Sequence, residues 1–164
     1  MNGTFLFAIL LGCYSHSQDA SPMQQKKKES ALECRLIVAQ RKIKIGEVPT
    51  NTAVELKNTG KEDIRITYNT HPFEHLDIEV CSPDGEKISD SETKYGGIFS
   101  PSTPKPMQTL TLRPGESYRF TVSLFATTPE EKRKSPGDYR IKAVFDDGNI
   151  RSVSSEITLT LVAE

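Results

Sequence analysis

From residue 32 onward the apolar side chains recur at every second position, the period of a strand with one buried face. Leu32, Cys34, Leu36 and Val38 form one parity set, with Glu33 and Arg35 between them. Val54 and Leu56 repeat the pattern, as do Ile64, Ile66 and Tyr68, and then Leu76, Ile78 and Val80. Further along come Leu110 and Leu112; Tyr118, Phe120, Val122 and Leu124; Tyr139, Ile141, Ala143 and Phe145; and Ile157, Leu159 and Leu161. Turn signals separate these runs: Asn58-Thr59-Gly60, Ser82-Pro83-Asp84-Gly85, Pro114-Gly115 and Asp146-Asp147-Gly148-Asn149. No window of 11 or more residues carries a helical period. About eight short strands joined by tight turns predict an all-β chain folded as a single antiparallel sandwich over residues 31–164.

Tyr139 refines that expectation. It follows Pro136-Gly137-Asp138 and opens the penultimate predicted strand. Immunoglobulin-like sandwiches place a tyrosine corner there, with the hydroxyl bonded back to upstream backbone. The chain has no Trp, so the core is not of the antibody type. The sequence predicts an Ig-like or fibronectin-like sandwich.

The first thirty residues obey a different rule. Phe5 to Gly12 is an apolar run that stops at Cys13. It is too short to span a bilayer, which needs about 20 apolar residues, but has the length of a signal-peptide core. Leu10-Leu11-Gly12-Cys13 resembles the lipobox of bacterial lipoproteins. That resemblance implies cleavage before Cys13 and a lipid on its sulfur. It places the protein in the cell envelope, anchored to the membrane on the periplasmic or extracellular face. Ser15-His16-Ser17 offers a second cleavage site, which would release a secreted protein; a third reading is an apolar N-terminus on a cytosolic chain. Residues 14–30 are rich in Gln, Lys and Ser and lack the apolar surface that offsets ordering entropy. The expected organisation is a signal peptide at 1–12, a flexible tether at 13–30 and a sandwich domain at 31–164.

Charge narrows the partners. Twenty-one Lys and Arg against 22 Asp and Glu leave a net charge of −1, with the signs interspersed. This is not the one-sided basic footprint of a nucleic-acid binder. With Cys13 lipidated, Cys34 and Cys81 remain as a pair that an oxidising compartment could join. Parity opposes the disulfide: Cys34 falls on the inner face of its strand and Cys81 on the outer face, unless a bulge near Ser82-Pro83 turns it. No nucleophile elbow, phosphate-binding loop or metalloprotease helix occurs, and no cofactor is implied, so the chain reads as a non-enzyme. His71-Pro72-Phe73-Glu74-His75 is the one cluster of metal-ligand types, with His71 and His75 as weak ligand candidates, and it reads better as a polar loop with Phe73 plugged into the core. Ser89–Pro106 is a long stretch without strand pattern; Tyr95, Gly96, Gly97, Ile98 and Phe99 make it a candidate recognition loop for a protein partner.

A family resemblance covers residues 47–145. Val54-Glu55-Leu56-Lys57-Asn58-Thr59-Gly60, Leu76–Val80 with Asp84-Gly85-Glu86-Lys87, Leu112–Ser117 and Ser135–Tyr139 resemble, in type and spacing, the bacterial intracellular proteinase inhibitor (BsuPI-like) domain family. The resemblance implies a β-sandwich and, as an alternative function, inhibition of a protease through an exposed loop at 89–106.

Overall fold

In the computed structural model, which describes residues 31–90 and 106–163, each of the eight alternating runs forms a strand. They are β1 (Leu32–Val38), β3 (Thr52–Asn58), β4 (Ile64–Tyr68), β5 (Leu76–Cys81), β6 (Gln108–Leu112), β7 (Ser117–Thr121), β8 (Gly137–Asp146) and β10 (Ile157–Val162). Two three-residue strands join them: β2 (Lys42–Lys44) and β9 (Arg151–Val153). The rest is turn and loop, with short 3-10 turns at Pro72–His75 and Glu130–Arg133. Cys13, the 14–30 stretch and the candidate loop at 95–99 lie outside the described residues.

Two layers result. In the first, β3 pairs antiparallel with both β1 and β7, and β4 pairs antiparallel with β6. Lys57 faces Ser117 and Ile64 faces Leu112, so residues 58–63 stand against only 113–116. β3–β4 and β6–β7 are therefore one long two-stranded ribbon, bent where one side carries extra residues, as bulges bend a ladder. In the second layer the order is β2-β10-β8-β5, with β9 beside β8. β10 pairs with the first half of β8 and β9 with its last three residues. Ser154 fills the break between them: its N–H donates to the Ala143 carbonyl at 2.9 Å and its hydroxyl accepts from the Ala143 N–H at 2.9 Å. β2 runs parallel to β10, and all other pairings are antiparallel.

The core lies between the layers, where the inward parity sets meet. Leu56, Ile66, Leu76, Ile78, Leu124, Tyr139, Ile141, Phe145 and Leu159 are fully buried. The expected strand through Leu124 ends instead at Thr121. The Thr52 hydroxyl bonds the Val122 carbonyl, the Val122 N–H donates to the Thr52 carbonyl at 3.1 Å, and the chain then coils through 123–128 with Val122, Leu124 and Phe125 still in the core. Burial was legible there and extended geometry was not.

The bend in the ribbon is built on Asn58. The β3 alternation of Val54 and Leu56 turns its side chain inward, and it is wholly buried. Its amide donates to the Glu62 carbonyl at 2.7 Å and the Leu112 carbonyl at 2.8 Å, and its side-chain oxygen accepts from the Gly60 N–H at 2.8 Å. Its own backbone bonds Glu116 and Gly115 across the ribbon. One side chain thereby satisfies three backbone groups that the bend takes out of the ladder.

Candidate functional site

The tyrosine corner forms as the sequence predicts. Tyr139 is buried, and its hydroxyl donates to the Ser135 carbonyl at 2.9 Å. Burial pushes its phenol above the usual range, outweighing the opposing effect of that bond. Gly137, just before it, has φ +139°, and a Cβ there would lie 2.7 Å from Cγ of Pro83. The close approach brings the Ser82–Gly85 turn against the 131–136 segment.

Between them opens a recess of about 360 Å³, lined by Ser82, Pro83, Asp84, Glu86, Ile88, Glu131, Lys132, Ser135, Pro136 and Tyr139. Its polar atoms are largely committed to structure. The Ser82 hydroxyl bonds the Asp84 carboxylate and lies 3.1 Å from the Glu86 carbonyl. The Ser82 bond holds the Asp84 carboxyl below its usual range. The Gly85 N–H donates to Ser82 and the Ser82 N–H to Glu86, which closes the turn. What remains is a rim of exposed carboxylates with Lys132 beside them. Among the described residues Ser82 has the Asp84 carboxylate as its side-chain hydrogen-bond partner and no imidazole is bonded to it. The turn residues were evident in the sequence; their meeting with 131–136 was not, because those segments lie far apart in the chain and bear no shared pattern.

The His71–His75 segment is a structural plug. His71 stacks on Phe73 with ring centroids 3.7 Å apart, and Phe73 stacks on the core ring of Phe120 at 5.2 Å. His75 turns the other way: its Nε2 lies 2.8 Å from the Thr67 carbonyl and its ring meets the edge of Phe145. Glu74 accepts from the N–H groups of Asn69 and Thr70 at 2.8 and 3.1 Å. Glu74 also lies 3.6 Å from His75 Nε2, but His71 is stacked on Phe73, and the three side chains do not converge as a ligand set. Among the described residues no group of three or more His, Cys, Asp or Glu side chains is placed to hold a metal ion.

The Cys34–Cys81 disulfide does not form; both thiols are free. Cys34 is buried in β1 of the first layer, where burial pushes its thiol from 9.0 up to about 12. Cys81 is half-buried in β5 of the second layer, on the outer parity with Asp77 and Glu79, and no bulge turns it inward. Beside it Glu79 accepts from Lys142 at 2.8 Å and Lys87 at 3.2 Å; partial burial works against ionisation, but these two bonds hold the carboxyl below its usual range. The candidate loop at Tyr95, Gly96, Gly97, Ile98 and Phe99 is bounded on the described side by Ser89, whose hydroxyl accepts from the Val80 N–H, and by Asp90, whose N–H donates to Thr127 at 2.8 Å.

No family model and no curated protein matches the chain. Solved structures do. The sporulation control protein Spo0M from Bacillus subtilis superposes with a TM-score of 0.51 at 17% identity, over 82% of this chain and 50% of Spo0M. A β-glucosidase from Kluyveromyces marxianus matches at 14% identity with a TM-score of 0.31, over 82% of this chain and 15% of the enzyme. The chain spans half the length of Spo0M, and the likeness to it is one of fold: an all-β sandwich.

Proposed function

We propose that this chain is a non-enzymatic lipoprotein of the cell envelope, held to a membrane through Cys13 and presenting its β-sandwich to a protein partner. The observation that carries this reading is Leu10-Leu11-Gly12-Cys13 at the end of an apolar run, followed by a polar stretch and then a sandwich. The arrangement of the described residues supports the non-enzymatic half. Ser82, Tyr139, His75 and Glu74 spend their hydrogen bonds on the fold itself. The resemblance to the proteinase inhibitor domain supports a narrower alternative in which the partner is a protease engaged through residues 89–106.

Cell fractionation of the full chain and its Cys13→Ser variant tests the proposal. Wild type is expected in the membrane fraction and Cys13→Ser in the soluble fraction. A wild type that is soluble in the cytosol would end the lipoprotein reading. A panel of purified proteases assayed with the Cys13→Ser chain separates the alternatives: stoichiometric inhibition selects the inhibitor, and unaffected proteolysis removes it.

A further inference from the structure

An edge strand with unpaired backbone is an invitation to a second chain, and proteins blunt such edges with charge. Seven strands here have an open side among the described residues, and six carry a charged side chain: β1 (Glu33, Arg35), β2 (Lys42, Lys44), β4 (Arg65), β5 (Asp77, Glu79), β7 (Arg119) and β9 (Arg151). Several are covered as well. β1 runs beside β9. β5 is closed at its end by the returning chain, where Lys87 bridges Cys81 and the Ile88 N–H donates to the Val80 carbonyl at 2.9 Å. β6 is the exception. Gln108-Thr109-Leu110-Thr111-Leu112 has no charge, pairs only with β4 among the described residues, and exposes Gln108, Thr109 and Thr111. Met107, which leads into it, is 70% exposed.

We propose that β6 is a self-association edge: two copies of this chain pair β6 against β6 about a two-fold axis, making a continuous β4-β6-β6-β4 sheet. Charge is what selects a second copy as the occupant. A two-fold antiparallel pairing sets residues equidistant from the axis against each other, so a charge on the axis, or like charges placed symmetrically about it, oppose their like, which destabilises the pair. β7 would bring Arg119 near its own copy and β2 would oppose lysines; β6 opposes only Thr, Leu and Gln. The register follows from the pleat. Facing residues must share a face, so the sum of paired numbers is even. Centred on Leu110, the pairing sets Thr109 against Thr111 on the outer face and Leu110 against Leu110 on the inner one. A five-residue ladder buries little area, so the dimer is a weak one, formed at high local concentration.

The test is sedimentation velocity of the full chain in mild detergent over a concentration series, beside the double variant Thr109→Glu with Thr111→Glu. Position 111 faces Arg65 within the chain, so the fold tolerates a carboxylate there. Across the two-fold axis, by contrast, each introduced carboxylate would face one of the other copy, at two places in the ladder. Wild type is expected to show a concentration-dependent dimer, and the double variant to weaken it at least about tenfold. Thr121→Glu on β7 should leave the dimer intact. Independently, oxidising a mixture of Thr109→Cys and Thr111→Cys chains should give crosslinked heterodimer in excess of either homodimer, which holds even if the added carboxylates perturb folding. A wild type that stays monomeric throughout, a dimer untouched by the double variant, or crosslinks without preference for the mixed pair would overturn the proposal.

Discussion

At the scale of single residues, the stability of this sandwich rests on polar side chains that bond backbone. Tyr139 is one: Tyr139→Phe keeps the ring in the core and leaves the Ser135 carbonyl without its donor. The expected cost is about 1–3 kcal/mol, read from the urea midpoint; an unchanged midpoint would mean that the corner does not hold the strand. Asn58 is a stronger case, since its side chain serves three backbone groups at the ribbon bend. Asn58→Ala is expected to cost about 2–4 kcal/mol. Asn58→Asp should cost at least as much, because it preserves shape but replaces two donated bonds by a buried carboxylate facing carbonyls. Cys34 gives a pH signature. The folded state holds its thiol proton more tightly than the unfolded chain does. Its contribution is thus complete below pH 9.0 and is lost as pH rises toward about 12, at up to about 1.4 kcal/mol per pH unit. Unfolding curves between these limits should therefore be shallower in pH for Cys34→Ala than for wild type. In the Cys13→Ser chain, a thiol reagent should label Cys81 quickly and Cys34 only on unfolding.

At the scale of elements, period-two alternation identified every strand long enough to display it. β2 and β9 escaped because three residues cannot show a period: Lys42-Ile43-Lys44 turns one apolar residue inward and Arg151-Ser152-Val153 turns a serine. Parity also placed both cysteines correctly: the even count of thiols invited a disulfide, and their opposite faces argued against it. Asn58 was legible as a turn residue, but its inward parity with Val54 and Leu56 was the sign that it is a buried hub. The recess was not legible, because it depends on the packing of Pro83 against Gly137, a contact between distant turns. That contact makes its own prediction. Gly137→Ala adds a methyl 2.7 Å from Pro83 at φ +139°, a conformation that L-residues rarely adopt. It should lower stability by about 1–3 kcal/mol and pull the two walls of the recess apart. A melting temperature equal to wild type would show that the turns do not depend on this approach.

At the scale of the whole molecule, two kinds of sequence do two kinds of work. The alternating part folds into a sandwich in which Asn58, Tyr139 and Ser154 spend side-chain bonds on backbone, and whose likeness to Spo0M is a likeness of architecture. The apolar run before Cys13 lies outside the described residues, and the proposal reads it as a processing site. On the proposed reading, where the protein resides depends on one sulfur and not on the fold. The most direct measurement is the intact mass and N-terminal peptide of the chain purified from membranes of a lipoprotein-processing bacterial host. A mature chain that begins at Cys13 and carries a thioether-linked diacylglyceryl group is the predicted result. A chain that begins at Met1, or after Ser17, with no lipid on Cys13 would contradict it.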